Sequence, residues 1–174
     1  LAAADAVSTL EDTALTNIDV LANDSDEDGD ALTVISATSE QGGTVSINDD
    51  GTLNYAPPAN FNGEDVVTYT VSDGNAGSST ATLAITVAAV NDAPVAAADA
   101  VNVLENDSVS SINVLFNDTD LEGDALSVIS ATSSEGGVVT INDDGTLNYK
   151  APAGFKGDDV VTYVITDQSG ATSE

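Results

Sequence analysis

The sequence predicts an all-β protein: two tandem seven-strand Greek-key β-sandwiches, the second lacking its last strand. Three observations lead there. The chain of 174 residues repeats itself at one fixed offset. Its β-branched residues fall in short alternating runs. Turn dipeptides separate those runs at the spacing expected of a sandwich.

The repeat sets the organisation. Ala3-Ala4-Asp5-Ala6-Val7 returns 94 positions later as Ala97-Ala98-Asp99-Ala100-Val101, and Ile35 to Ser39 returns as Ile129 to Ser133. Asn48 to Tyr55 matches Asn142 to Tyr149, and Val66 to Tyr69 matches Val160 to Tyr163, with no gap. Roughly three positions in five are identical, the mark of a duplicated module. Repeat 1 is expected over 1–92, with a linker at about 89–95, and repeat 2 over 93–174.

Within the first copy, strands are expected near 5–10, 17–21, 31–37, 43–47, 51–56, 65–72 and 79–88. The last is clearest: Leu83, Ile85 and Val87 alternate with Thr82, Ala84 and Thr86, giving one apolar face and one small or polar face. Val67, Tyr69 and Val71 alternate with Val66, Thr68 and Thr70 in the same way. Asp50-Gly51 and Asp144-Gly145 are tight-turn dipeptides. Phe61 and Phe155 stand in Gly-containing connections and are expected to plug one end of each core. Seven strands in about 90 residues suit an immunoglobulin-like or cadherin-like Greek key. Glu174 aligns with Thr80, so the counterpart of strand 79–88 is missing from the second copy. Either the next stretch of a longer polypeptide supplies it, or a neighbouring chain donates it by β-augmentation.

Charge narrows the partners. Thirty acidic residues against Lys150 and Lys156 give a net charge of −28, with no Arg, His or Cys. Nothing in such a chain pairs with phosphates, which excludes nucleic acid and anionic membrane surfaces. A hydrophobic content of 41% argues against disorder. Without Cys there are no disulfides. No apolar run reaches membrane-spanning length, so no direct membrane insertion is expected, and the N-terminus lacks a signal-peptide layout. The chain reads as an internal piece of a longer protein.

The acids are clustered. Asp24-Ser25-Asp26-Glu27-Asp28-Gly29-Asp30 lies between two strands of copy one, and Asp118-Thr119-Asp120-Leu121-Glu122-Gly123-Asp124 lies in copy two. Alternate acids in a turning loop can supply several oxygens to one hard cation such as Ca²⁺. The alternative is a solvated acidic turn. Position twelve of the first loop is Ile35, not Glu, which excludes an EF-hand. Greek-key topology puts loop 24–30 and Asp73 at one end of the sandwich, and Glu11 and Glu64 at the other, beside the outgoing linker. Stacking the copies end to end would set Glu11, Glu64, Asp65, Asn91 and Asp92 against Asp118, Asp120 and Asp167. The outer end of repeat 1 would then carry Asp24, Asp26, Asp28 and Asp73. The outer end of repeat 2 would carry Glu105, Asp158 and Asp159. In copy two, Glu122 replaces Asp28 and Leu121 replaces Glu27, which makes Asp118 and Asp120 the safer ligands there.

Glu11, Gly63-Glu64-Asp65, Asp73-Gly74 and Val90-Asn91-Asp92-Ala93-Pro94 resemble the calcium-binding signatures of cadherin repeats, in the same order. The whole chain is more closely similar to the bacterial cadherin-like repeats of giant RTX-type adhesins. Val20-Leu21-Ala22-Asn23-Asp24, Gly29-Asp30, Asp50-Gly51-Thr52, Tyr55 and Phe61-Asn62-Gly63 carry that likeness. It implies an extracellular, calcium-rigidified extender on the bacterial surface, which promotes adhesion or biofilm formation by projecting a distal binding domain. Its partners would be calcium ions and neighbouring repeats of the same polypeptide. Cadherins have Asp-Arg-Glu where Gly63-Glu64-Asp65 stands, and a further Asn where Ala93 stands, so the number of ions per joint is left open.

Enzymatic activity is not expected, since most catalytic constellations need the His, Cys or Arg this chain lacks. A carbohydrate-binding module would show exposed aromatics. Tyr55, Tyr69, Tyr149, Tyr163, Phe61 and Phe155 instead occupy duplicated, core-like positions, and Phe116, which replaces Ala22, is expected to fill core space. The remaining alternative is a subunit of an extracellular filament completed by a donated strand.

Overall fold

The alternating residues of the first copy form seven strands: β1 (Asp5–Leu10), β2 (Leu15–Ile18), β3 (Thr33–Ser39), β4 (Thr44–Ile47), β5 (Leu53–Ala56), β6 (Gly63–Ser72) and β7 (Ser78–Ala88). The computed structural model describes residues 1–174. They divide into two units, Leu1–Val90 and Asn91–Glu174, a division two residues before the 92/93 boundary.

In the first unit one sheet has the order β1-β7-β6-β3 and the other the order β2-β5-β4. β1 runs parallel to β7, and every other pairing is antiparallel. Each expected strand is present. The stretch expected at 17–21 starts and ends earlier, for a local reason. Asn17 has φ +57° and donates its N–H to Asn54 Oδ1 at 3.0 Å, which breaks the β2–β5 register between Leu15 and Ile18. Asp19 Oδ1 then accepts the Leu21 N–H at 3.2 Å, an Asx turn that ends the strand.

Period-two alternation sends Val67, Tyr69 and Val71 of β6 inward with Leu83, Ile85 and Val87 of β7. Leu53 and Tyr55 of β5 meet them from the other sheet, with Val20 and Val34, and Phe61 packs on the core's margin. Each buried aliphatic or aromatic side chain stabilises the fold by about 1.5–3 kcal/mol. The one side-chain ion pair, Lys156 to Glu105 at 3.1 Å, is exposed and contributes about 0–1 kcal/mol. The apolar interior therefore holds the fold. Its fit is close: a Cβ on Gly43 would stand 2.4 Å from the Tyr55 ring, as it would on Gly137 from the Tyr149 ring.

The second unit repeats this plan with β8 (Ser108–Ile112), β9 (Ser127–Ser133), β10 (Val138–Ile141), β11 (Leu147–Lys150), β12 (Val161–Thr166) and β13 (Thr172–Ser173). The sheets are β10-β11-β8 and β13-β12-β9. β13 supplies the first two residues of the last strand, and what depends on the rest of it is also missing. Residues 99–104, counterpart of β1, form no strand, because β1 pairs only with β7. β12 starts four residues later than β6, because Gly63 to Val66 also pair only with β7. One expectation fails outright. Phe116 is 85% exposed, while its neighbour Val114 is buried and Leu115 packs on the core, so the chain has turned Phe116 outward.

Candidate metal centre

Two of the expected ligands face their own cores. Asp65 has the same parity on β6 as Val67 and Tyr69 and is 1% exposed. Its Oδ2 accepts hydrogen bonds from Ser39 Oγ (2.6 Å) and Tyr55 OH (2.7 Å). Its Oδ1 accepts from the N–H groups of Glu40 (3.2 Å), Gln41 (3.0 Å) and Val66 (2.7 Å). Burial opposes its ionisation, but these donors outweigh burial and hold its pKa below the ordinary 3.8. Asp159 repeats the arrangement with Ser133 Oγ (2.6 Å), Tyr149 OH (2.7 Å), Ser134 Oγ (3.1 Å) and the Glu135 N–H (3.0 Å). There too the donors overcome desolvation, and the carboxyl titrates at about 2. Desolvation and the adjacent carboxylate push Tyr149 up to about 12. Each aspartate clasps its two sheets together. The parity of Asp65 with Val67 was the signal in the sequence that it points inward.

Other acids have oxygens with no donor. At the start of the second unit, Val95 and Thr119 exchange backbone hydrogen bonds at 2.7 and 3.1 Å. Strand alternation about Thr119 turns Asp118 and Asp120 to its opposite side. Asp118 Oδ1 accepts the Ala97 N–H at 2.8 Å, and Asp120 Oδ1 accepts that of Asp124 at 2.9 Å. Their Oδ2 atoms, with Asp92 Oδ2, are buried and unpartnered. The Asp92 N–H donates to Glu122 Oε2 at 3.3 Å, and carboxylate oxygens of Asp92 and Glu122 lie within 4.8 Å of one another. Asn91 Nδ2 donates to Asp167 Oδ2 at 2.7 Å, while Asp167 Oδ1 accepts the Gly170 and Ala171 N–H groups at 2.6 and 2.9 Å. Asp167 is 5% exposed, and its pKa is lowered, chiefly by Asn91. The sequence favours Asp118 and Asp120 over Glu122, yet it is the Glu122 carboxylate that lies near Asp92. Its i, i+2, i+4 spacing from Asp118 and Asp120 was the signal that could have kept it.

In the first unit, Glu11 is 4% exposed. Its Oε1 accepts the Val90 N–H, and its Oε2 has no partner. Glu64 is exposed and accepts from Thr86 Oγ1 at 3.0 Å. At the other end, Asp24 Oδ1 accepts the Ala3 N–H at 2.7 Å, and its Oδ2 is buried without a donor. Asp26 Oδ1 accepts from the N–H groups of Asp28 (2.9 Å) and Asp30 (3.1 Å). The Asp30 N–H is the main cause that lowers the Asp26 pKa. Asn75 Nδ2 reaches Asp30 Oδ2 at 2.8 Å, which ties loop 24–30 to the loop where Asp73 caps Asn75 and Gly77. Asp28 is exposed. No three oxygens from Asp24, Asp26, Asp28 and Asp73 come within 4.8 Å of one another. At the outer end of the second unit Glu105 pairs with Lys156, Asp158 is exposed and Asp159 is the clasp, so those three form no cluster.

The unpartnered set is all oxygen and anionic. A buried carboxylate oxygen without a donor costs several kcal/mol unless something neutralises it. Lys156 is engaged by Glu105, and there is no His, Cys or Arg. Such a donor set of carboxylate oxygens fits a hard divalent cation of the Ca²⁺ kind.

Among curated proteins none matches the sequence significantly. Among solved structures, similar folds include the protocadherin GammaB4 extracellular domain (14% identity, TM-score 0.47, 98% of this chain and 32% of that one). Others are the human desmocollin-1 ectodomain (12%, 0.44, 98% and 34%) and the endo-fucoidan hydrolase MfFcnA4 of glycoside hydrolase family 107 (21%, 0.40, 97% and 26%). This chain spans about a quarter to a third of those structures, and likeness at that level carries no functional argument. The profile of the bacterial Ig domain matches residues 1–86 and again 91–174. Two matches in tandem cover nearly all of the sequence, and the chain belongs to the bacterial Ig domain family.

Proposed function

We propose that the chain is an extender segment of a bacterial surface protein, in which calcium stiffens the passage from one sandwich to the next. Bacterial Ig domains are non-catalytic structural modules typical of surface and extracellular proteins. The observation that carries the calcium reading is the set of buried, donorless oxygens on Asp92, Asp118 and Asp120 of the second unit and Glu11 of the first. Glu11 accepts from Val90, which precedes Asn91-Asp92 in the chain; Asp92, Asp118, Asp120 and Glu122 would hold the ion. Asn91 and Asp167 would orient the linker, and Glu64 would complete the field from the first unit. Asp65, saturated by protein donors, is left as a clasp. A stiff linker suits an arm that projects a binding domain for adhesion or biofilm formation.

Calorimetric titration of Ca²⁺ into the whole chain tests the metal directly. The expected result is saturable binding that Asp92→Ala with Asp120→Ala abolishes, while the β-sheet circular dichroism is retained. Unchanged calcium binding in that double variant would remove the site from the proposal.

A further inference from the structure

Tyr163 stands where the backbone of the second unit is tied to one of its acids. On β12 it has the parity of Val161 and Ile165, so its ring turns inward and packs on the core of that unit. The ring thereby carries its hydroxyl to a fixed point between residues 97–99 and the loop that follows Val114. That hydroxyl has one hydrogen to give and several oxygens around it. Ala97 O lies at 2.9 Å and Asp99 Oδ2 at 3.0 Å. Val114 O and Asp118 Oδ1 are farther, both at 3.4 Å. The donor therefore serves Ala97 and Asp99, and Asp118 meets the phenol as a neighbouring dipole, beyond close hydrogen-bond range.

Ala97 connects this hydroxyl to the acid. Its C=O accepts from Tyr163, while its N–H donates to Asp118 Oδ1 at 2.8 Å. Asn117 Nδ2 donates to the next carbonyl, that of Ala98, at 3.1 Å. With Oδ1 so engaged, the buried Oδ2 of Asp118 is left without a donor, and it is the oxygen available to an ion. The first unit has the same ties. Tyr69 OH donates to Ala3 O (2.8 Å) and Asp5 Oδ2 (2.7 Å), and Asp24 Oδ1 accepts the Ala3 N–H (2.7 Å). There, however, Asp24 belongs to a set that gathers no three carboxylate oxygens, so Tyr69 is a matched hydroxyl without a matched ion cluster.

We propose that Tyr163 is a positioning residue of the ion site, acting through Ala97 on Asp118. This rests on the calcium reading and adds to it the link by which one ligand is held. Partners that orient a metal ligand from behind matter to affinity, and losing one typically weakens binding by about 10–100-fold. The partner of Asp118 is a backbone N–H, so the side chain that fixes it is the tyrosine bound to the carbonyl of the same residue. The link also makes the phenol a reporter. With no Trp in the chain, its four Tyr dominate near-ultraviolet absorbance. A cation on Asp118 changes the field at a ring whose oxygen is 3.4 Å from that carboxylate.

The test titrates Ca²⁺ into the whole chain, followed by calorimetry and by tyrosine absorbance, for the unaltered protein, Tyr163→Phe and Tyr69→Phe. The unaltered protein is expected to give a tyrosine difference signal that saturates with the binding heat. Tyr163→Phe should weaken binding about tenfold and lose that signal, whereas Tyr69→Phe should keep both. In chelator, Tyr163→Phe should also exchange the Ala97 amide hydrogen faster, a readout that needs no ion. Calcium binding by the unaltered protein without a tyrosine signal overturns the proposal, whether or not Tyr163→Phe folds. Unchanged affinity or unchanged Ala97 exchange in Tyr163→Phe overturns it too, as does an equal loss of affinity in Tyr69→Phe. In each of these cases the calcium reading stands; no binding by the unaltered protein overturns both.

Discussion

Asp65 and Asp159 are the residues at which the physics is most explicit. Each is a carboxylate held inside a sandwich by hydroxyl and backbone donors, with Tyr55 or Tyr149 reaching across from the opposite sheet. Removing one donor leaves the acid short of a partner. Tyr55→Phe is therefore expected to destabilise the first unit by about 1–3 kcal/mol, read by urea unfolding, and an unchanged midpoint would mean the clasp contributes nothing. The pH dependence follows from the same contacts. The folded pKa of Asp159 is about 2 against an ordinary 3.8. A depressed carboxyl pKa contributes stability that is present above the unfolded value and is lost as pH falls through the folded one. Urea midpoints measured in chelator should fall between about pH 4 and pH 2, and Tyr149→Phe should shallow that fall. Phe116, 85% exposed, is the opposite case: Phe116→Ala should change stability by no more than about 0.5 kcal/mol. Residue identity told which acids existed. Strand parity told which faced inward, and the spacing of Glu122 from Asp118 and Asp120 held information that its replacement of Asp28 obscured.

Among the elements, β7 organises the first sandwich. It pairs with two strands at once and lends Leu83, Ile85 and Val87 to the core. Ile85→Ala should cost about 2–5 kcal/mol, measured by denaturant unfolding of the first unit, and a loss below 1 kcal/mol would contradict the packing described. Alternation made β6 and β7 readable almost to the residue. The end of β2 was not readable, because the left-handed turn at Asn17 depends on a hydrogen bond from Asn54, 37 positions away. Nor did the sequence show that residues 99–104 would lack a partner. A strand's regularity belongs to its neighbour as much as to itself: residues 99–104 repeat the sequence pattern of β1, which pairs only with β7.

For the molecule as a whole, the governing quantity is a charge of −28 with two lysines to offset it. Self-repulsion of that size destabilises compact states and is relieved by screening or by bound cations. The two routes differ in kind, since screening needs ionic strength whereas a site needs one particular ion. Calcium at about a hundred times its dissociation constant would contribute about 2.7 kcal/mol, roughly 10–20 °C in melting temperature for domains of this size. The most direct test is small-angle scattering of the whole chain in millimolar calcium, and again in chelator with potassium chloride at matched ionic strength. A longer maximum dimension and less flexibility in calcium alone are predicted, with a melting temperature that rises together with them. Identical scattering profiles and melting temperatures in the two buffers would contradict a calcium-stiffened extender.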